Sequence, residues 1–233
     1  MSGFCETNHF TIFPDNNKGF IKDLLGVNKG PDNIDFLYRE LGISMIRTHD
    51  YHTSCDYQIY SDFWILNEEE NAYKEINPDF DPYNPDHYNW HTTDEQIKKI
   101  INGQFDVYFR IGISWSDNSN YPTPPLLPPF DPQKNTFNRF AALCRKTVEH
   151  INGSWDNGLE ENIQYWEIWN EPKNLIFWLG DSTDYYLMYK QARDSIKSFD
   201  RTIKVGACGA LPSTTLGFST TYRESFFDYL KTN

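Results

Sequence analysis

The sequence predicts an α/β fold in which a parallel sheet is packed against helices. Three observations predict it. Apolar runs of strand length alternate with segments of helical spacing along most of the 233 residues. The strand candidates are rich in apolar residues, as strands of a covered parallel sheet are. Long polar loops follow the second and third strands, at the carboxyl ends that carry the chemistry in such folds.

The elements follow in order. Ile21 to Val27 is a short apolar run, the first strand candidate. Asn33 to Leu41 has helical spacing and stops at Gly42. Ile43 to Thr48 is the second strand. Asp50 to Trp90 is rich in Asp, Asn, Pro and Tyr, sustains no period and reads as a long loop. Thr93, with Glu95 behind it and Ile97, Ile100 and Ile101 on one face, starts a helix that Gly103 ends. Asp106 to Ile113 is the third strand. Ser116 to Pro132 holds six prolines and must be a loop. Thr136 to Ile151 is a helix, Ile163 to Trp169 the fourth strand. Thr183 to Phe199 is a helix with Tyr186, Tyr189, Ala192 and Ile196 on its apolar face. Ile203 to Cys208 is the fifth strand, and Arg223 to Leu230 the helix after it. With no internal repeat and no linker, residues 1–233 read as one domain. Two topologies fit five strand–helix units: a doubly wound open sheet, or part of a (β/α)8 barrel.

Composition narrows the function. Mean hydropathy is −0.67, and no run approaches the roughly 18 apolar residues of a membrane span. Aromatics at 17% argue against disorder. The net charge of −12 repels phosphate backbones, anionic membranes and acidic polysaccharides, so a neutral partner is expected. Neither GxGxxG nor GxxxxGK[ST] occurs, which removes the usual phosphate cradles. Cys5, Cys55, Cys144 and Cys208 match no zinc spacing; Cys144 and Cys208 fall in apolar patterns and read as buried thiols. No basic segment followed by an apolar run opens the chain, so no signal peptide is visible and a cytoplasmic location is expected.

The sharpest segment is Tyr165-Trp166-Glu167-Ile168-Trp169-Asn170-Glu171-Pro172. An aromatic strand runs into Asn-Glu-Pro, and Pro172 cannot extend a ladder. Glu171 is then held at the mouth of the sheet. Aromatic neighbours there would desolvate its carboxyl and raise its pKa, as a general acid at neutral pH requires. A lone Asn-Glu-Pro is an ordinary surface turn; the strand before it makes the catalytic reading stronger. Glu167 shares parity with Glu171, which predicts a buried acid lower in the interior, paired with Arg47 or Arg110.

Trp-Asn-Glu-Pro at a strand end resembles the acid/base motif of the clan of retaining (β/α)8 glycoside hydrolases. Lys173 to Trp178, with Phe177-Trp178 closing it, resembles glycoside hydrolase family 39, the β-xylosidase and α-L-iduronidase family, with Lys173 as an extra residue. Tyr185 to Lys190 and Ile203 to Gly206 resemble that family's next helix and strand. Met45 to Asp50 resembles its Ile-Arg-Phe-His segment.

The resemblance implies an incomplete (β/α)8 barrel and a retaining hydrolase that acts on an oligo- or polysaccharide, most like a β-xylosidase, without metal or organic cofactor. It implies Glu171 as acid/base, Asn170 on the sugar 2-hydroxyl, Arg47 behind the nucleophile and His49 on the sugar. Asp50, His52, Trp115 and Trp178 join them as candidate substrate contacts, and Asp56 is a weaker one. In the clan the nucleophile is a Glu closing the seventh strand. After Glu171 this sequence has one Glu, Glu224, inside a helical pattern. The nucleophile is therefore expected to be missing and the chain to be truncated, with little hydrolase activity alone. Two alternatives stand beside this reading. One is a carbohydrate-binding relative that has lost catalysis. The other is a metal-dependent hydrolase using His49 and His52, whose His-x-x-His spacing fits a metal site poorly.

Overall fold

The computed structural model describes residues 25–51, 53–113, 137–172, 177–178, 180–207 and 221–232. In chain order the elements open with β1 (Gly26–Asn28), α1 (Asp35–Glu40) and β2 (Met45–Arg47). A 3-10 turn (Tyr57–Phe63) then leads into the hairpin β3 (Trp64–Asn67) and β4 (Ala72–Ile76). After it come α2 (His91–Asn102), β5 (Asp106–Ile111), α3 (Asn138–Ile151), β6 (Tyr165–Ile168), α4 (Ser182–Phe199), β7 (Lys204–Ala207) and α5 (Thr221–Thr232).

Sheet order decides between the two topologies. The strands pair in the order β1-β2-β5-β6-β7, and every pair is parallel. A doubly wound sheet reverses direction at a switch point; this one does not. Right-handed crossovers that always step the same way put all helices on one face. The two faces of the strands show this. Ile46, Val107, Phe109, Ile111, Trp166 and Ile168 are buried on one face, where Phe109 and Trp166 pack with ring centroids 5.0 Å apart. The alternate positions, Arg47, Tyr108, Arg110, Tyr165 and Glu167, are polar or half-polar and line the other face. A sheet with helices outside and polar side chains inside is an arc of a (β/α)8 barrel.

The helices form where their patterns predict, with shifted ends. α2 begins at His91, two residues before Thr93, because the Thr93 hydroxyl is spent elsewhere: it accepts from the Cys55 amide at 2.8 Å. α4 begins with a capping box, Asp181 accepting from the Asp184 amide at 2.8 Å and Asp184 in return from the Asp181 amide. β5 stops at Ile111 because Gly112 has φ +144. Cys55 and Cys144 are buried free thiols; Cys5 and Cys208 lie outside the described residues, as do Ile21 to Leu24 of the expected first strand.

The stretch Asp50 to Trp90 is not a plain loop. Tyr57, Ile59, Tyr60, Phe63, Trp64 and Phe80 are buried there, and the rings of Phe63 and Trp64 lie 4.9 Å apart. Asp56 caps the 3-10 turn by accepting from the Tyr57 amide at 2.7 Å. Arg139 of α3 donates to the carbonyls of Asn77 and Pro78 at 2.8 and 3.1 Å and ties the segment down. The core extends from here through Phe140 and Trp169, 5.8 Å apart, to Trp178 and Tyr185.

Candidate active site

The site begins with two strands that are not neighbours. β2 and β6 flank β5, so their backbones stand about 10 Å apart. A long side chain on the polar face can bridge that gap. Arg47 does so: Nε donates to Glu167 Oε2 at 2.6 Å and Nη2 to Oε1 at 3.0 Å. Glu167 is 2% exposed at its side chain, so its charge has left water and the paired contact compensates it. Arg47, rather than Arg110, is thus its partner. Arg110 lies in register with Glu167, but its Nη2 is 3.3 Å from Asp56 Oδ2, and both of those groups are buried. Asp56, the weaker sugar contact, sits in this buried pair.

Above Glu167 the strand ends in a turn, not in continued alternation. Trp169 has φ +70 and Glu171 φ +37, both left-handed. Glu171 therefore owes its position to the turn and not to strand parity with Glu167. Gly112 makes room for that turn: a Cβ there would lie 2.9 Å from Trp169 Cα. The Trp169 indole donates to Phe177 O at 3.0 Å and closes the far side.

Asn170, within the turn, is 2% exposed. Its Oδ1 accepts from Arg47 Nη2 at 3.1 Å and lies 2.9 Å from His49 Nε2. A guanidinium only donates, so the amide oxygen must face it. Asn170 Nδ2 is then buried without a hydrogen-bond partner among the described residues. His49 Nδ1 lies 2.6 Å from Asp50 Oδ1. Burial, with the charges of Arg110 and Arg47, lowers the His49 pKa below the usual histidine value. The Asp50 carboxylate pulls the other way, with a smaller effect than burial and the two arginines.

Arg47, His49, Asp50 and Asn170 thus meet at one end of the sheet, with Glu171 next in the chain and partly exposed. Trp178 is not on that open side. It is 1% exposed, its indole donates to Asp181 O at 3.1 Å, and Trp169 and Tyr185 pack against it at 5.5 and 5.8 Å. His52 and Trp115 lie outside the described residues. Among the described residues no group of three or more His, Cys, Asp or Glu is placed to hold a metal ion, and no helix is long and apolar enough to cross a membrane. Trp90 and Trp155 pack together: Trp90 stacks on the buried His150 at 3.9 Å and meets Trp155 edge-on.

The parallel sheet with its helices on one face defines the class of fold: part of a (β/α)8 barrel. The chain is similar in structure to a glucosidase from Croceicoccus marinus, at 22% identity and a TM-score of 0.67, over 91% of this chain and 41% of that one. It is similar to a monomeric β-xylosidase from Caulobacter crescentus at 18% identity and TM-score 0.55, over 90% and 39%. It is likewise similar to the family 39 enzyme from Xanthomonas axonopodis pv. citri at 20% identity and TM-score 0.55, over 90% and 38%. The chain spans about two fifths of the length of these structures. No family model and no curated protein matches it in sequence.

Proposed function

We propose that the chain carries the acid/base half of a retaining glycoside hydrolase site, in an enzyme of family 39 type acting on a β-xyloside or similar neutral sugar. One observation carries the reading: Glu171 directly follows an asparagine whose amide oxygen accepts from Arg47, beside His49, at the carboxyl end of a barrel strand. In this reading Glu171 protonates the leaving oxygen and then takes a proton from the attacking water. Asn170 Nδ2 donates to the sugar 2-hydroxyl. His49, neutral near pH 7, contacts the sugar, and Arg47 supports the nucleophile.

A retaining site needs a second carboxyl about 5–5.5 Å from the first. Glu224 is exposed in the first turn of α5 and is not suited to that role. The nucleophile is assigned instead to the strand–helix units by which the longer neighbours exceed this chain. The test uses the purified chain. Methyl β-D-xyloside is expected to bind, with binding lost in Asn170→Ala, while 4-nitrophenyl β-D-xyloside is not turned over. Turnover removed by Glu171→Gln would overturn the missing nucleophile. Absence of any binding would overturn the sugar site.

A further inference from the structure

We propose that Glu167 is a positioning residue: through Arg47 it sets the hydrogen-bond polarity of the site, so that the ligand group facing Asn170 must be an acceptor. The ligand part rests on the sugar reading above; the chain of contacts does not. Glu167 holds Arg47 at two points, through Nε and Nη2. A planar guanidinium held at two points cannot rotate. Its Nη2 has two hydrogens; one goes to Glu167 Oε1 and the other to Asn170 Oδ1. His49 Nε2 faces the same oxygen. Turning the amide over would set its NH2 against the Arg47 guanidinium, which can only donate. Asn170 Nδ2 is thereby fixed as a buried donor with no partner among the described residues. A hydroxyl or fluorine satisfies it, and an ammonium group repels it.

The experiment reads the amide directly. The Asn170 side-chain NH2 signals are identified in 15N NMR spectra by their loss in Asn170→Asp. Glu167→Gln replaces one acceptor oxygen by a donor, so Arg47 loses its two-point hold. The Asn170 pair is then expected to shift and split or broaden while the backbone spectrum stays dispersed. An unshifted single pair overturns the proposal. Should Glu167→Gln fail to fold, Arg47→Lys, which keeps the charge and drops the fork, is read the same way. Binding of two probes at pH 6 follows: methyl 2-deoxy-2-fluoro-β-D-xyloside and the protonated methyl 2-amino-2-deoxy-β-D-xyloside. Wild type is expected to favour the fluoro sugar about tenfold or more, because a buried donor left unpaired is costly. The ratio should fall toward one in Glu167→Gln; an unchanged ratio with unshifted signals overturns the relay. If neither probe binds but the Asn170 pair answers to Glu167→Gln, the relay stands and the sugar reading falls.

Discussion

Gly112→Ala tests how the turn bearing Asn170 and Glu171 is held. Gly112 has φ +144, a conformation essentially closed to residues with a Cβ. Forcing alanine into such a region costs about 1–3 kcal/mol. The new Cβ would stand 2.9 Å from Trp169 Cα and 3.2 Å from its Cε3. The first neighbour is backbone, so no rotamer change relieves the contact, and overpacking adds about 1–3 kcal/mol. The stiffer unfolded chain returns about 0.4–1 kcal/mol. We expect a net loss of about 3 kcal/mol. Urea unfolding followed by tryptophan fluorescence suits the assay, because Trp166, Trp169 and Trp178 are buried. With m of about 3 kcal/mol/M for a chain of this size, the midpoint should fall by about 1 M. Gly206→Ala is the control: its φ is not positive and its Cβ would lie 3.1 Å from the Tyr108 hydroxyl, the far end of a side chain, and at ordinary contact, 3.7 Å, from Trp166 O, so its midpoint should move far less. A Gly112→Ala midpoint within about 0.2 M of wild type, at unchanged m, would refute the account of the turn.

Other predictions concern charge. Asp56→Ala removes the carboxylate from the buried Arg110 and the cap from the 3-10 turn, so it should cost about 3–5 kcal/mol by denaturation. Adding Arg110→Met should recover most of that, and no recovery would refute the pairing. His49 has a lowered pKa in the fold, so below about pH 6.5 the unfolded chain takes up the proton first. Its contribution to stability is therefore complete above that pH and is lost as pH falls toward the folded value. Between pH 7 and 5, wild type should lose stability more steeply than His49→Asn, by at most about 1.4 kcal/mol per pH unit. Parallel curves would contradict the assignment.

The parallel sheet and most helices were legible because each carries a local signal: apolar strand runs, a 3.6-residue period, and stops such as Gly103. The hairpin β3–β4 was not. Trp64 packs against Tyr57, Tyr60 and Phe63 of the preceding turn while Ile65 and Leu66 stay exposed, so β3 does not alternate cleanly. The pairing of Glu167 was half legible. Strand parity put it inside, but choosing Arg47 over Arg110 required the spatial order of the strands and the engagement of Arg110 by Asp56. Parity failed for Glu171, since nothing in Trp169 announces a left-handed backbone. Trp178 was a candidate substrate contact by its place after the motif. Its burial depends on Trp169, Tyr185 and the Asp181 carbonyl, which come together only in three dimensions.

The uniform stepping of the sheet from β1 to β7 also bears on how the molecule assembles during synthesis. Each main-sheet strand pairs with the one made just before it, so a growing chain can add units to an edge already formed. N-terminal segments generally fold first as the chain emerges. Arg47 and His49 would then be laid down on β2 well before Asn170 is translated, and the locking of its amide would mark the docking of the β6 unit.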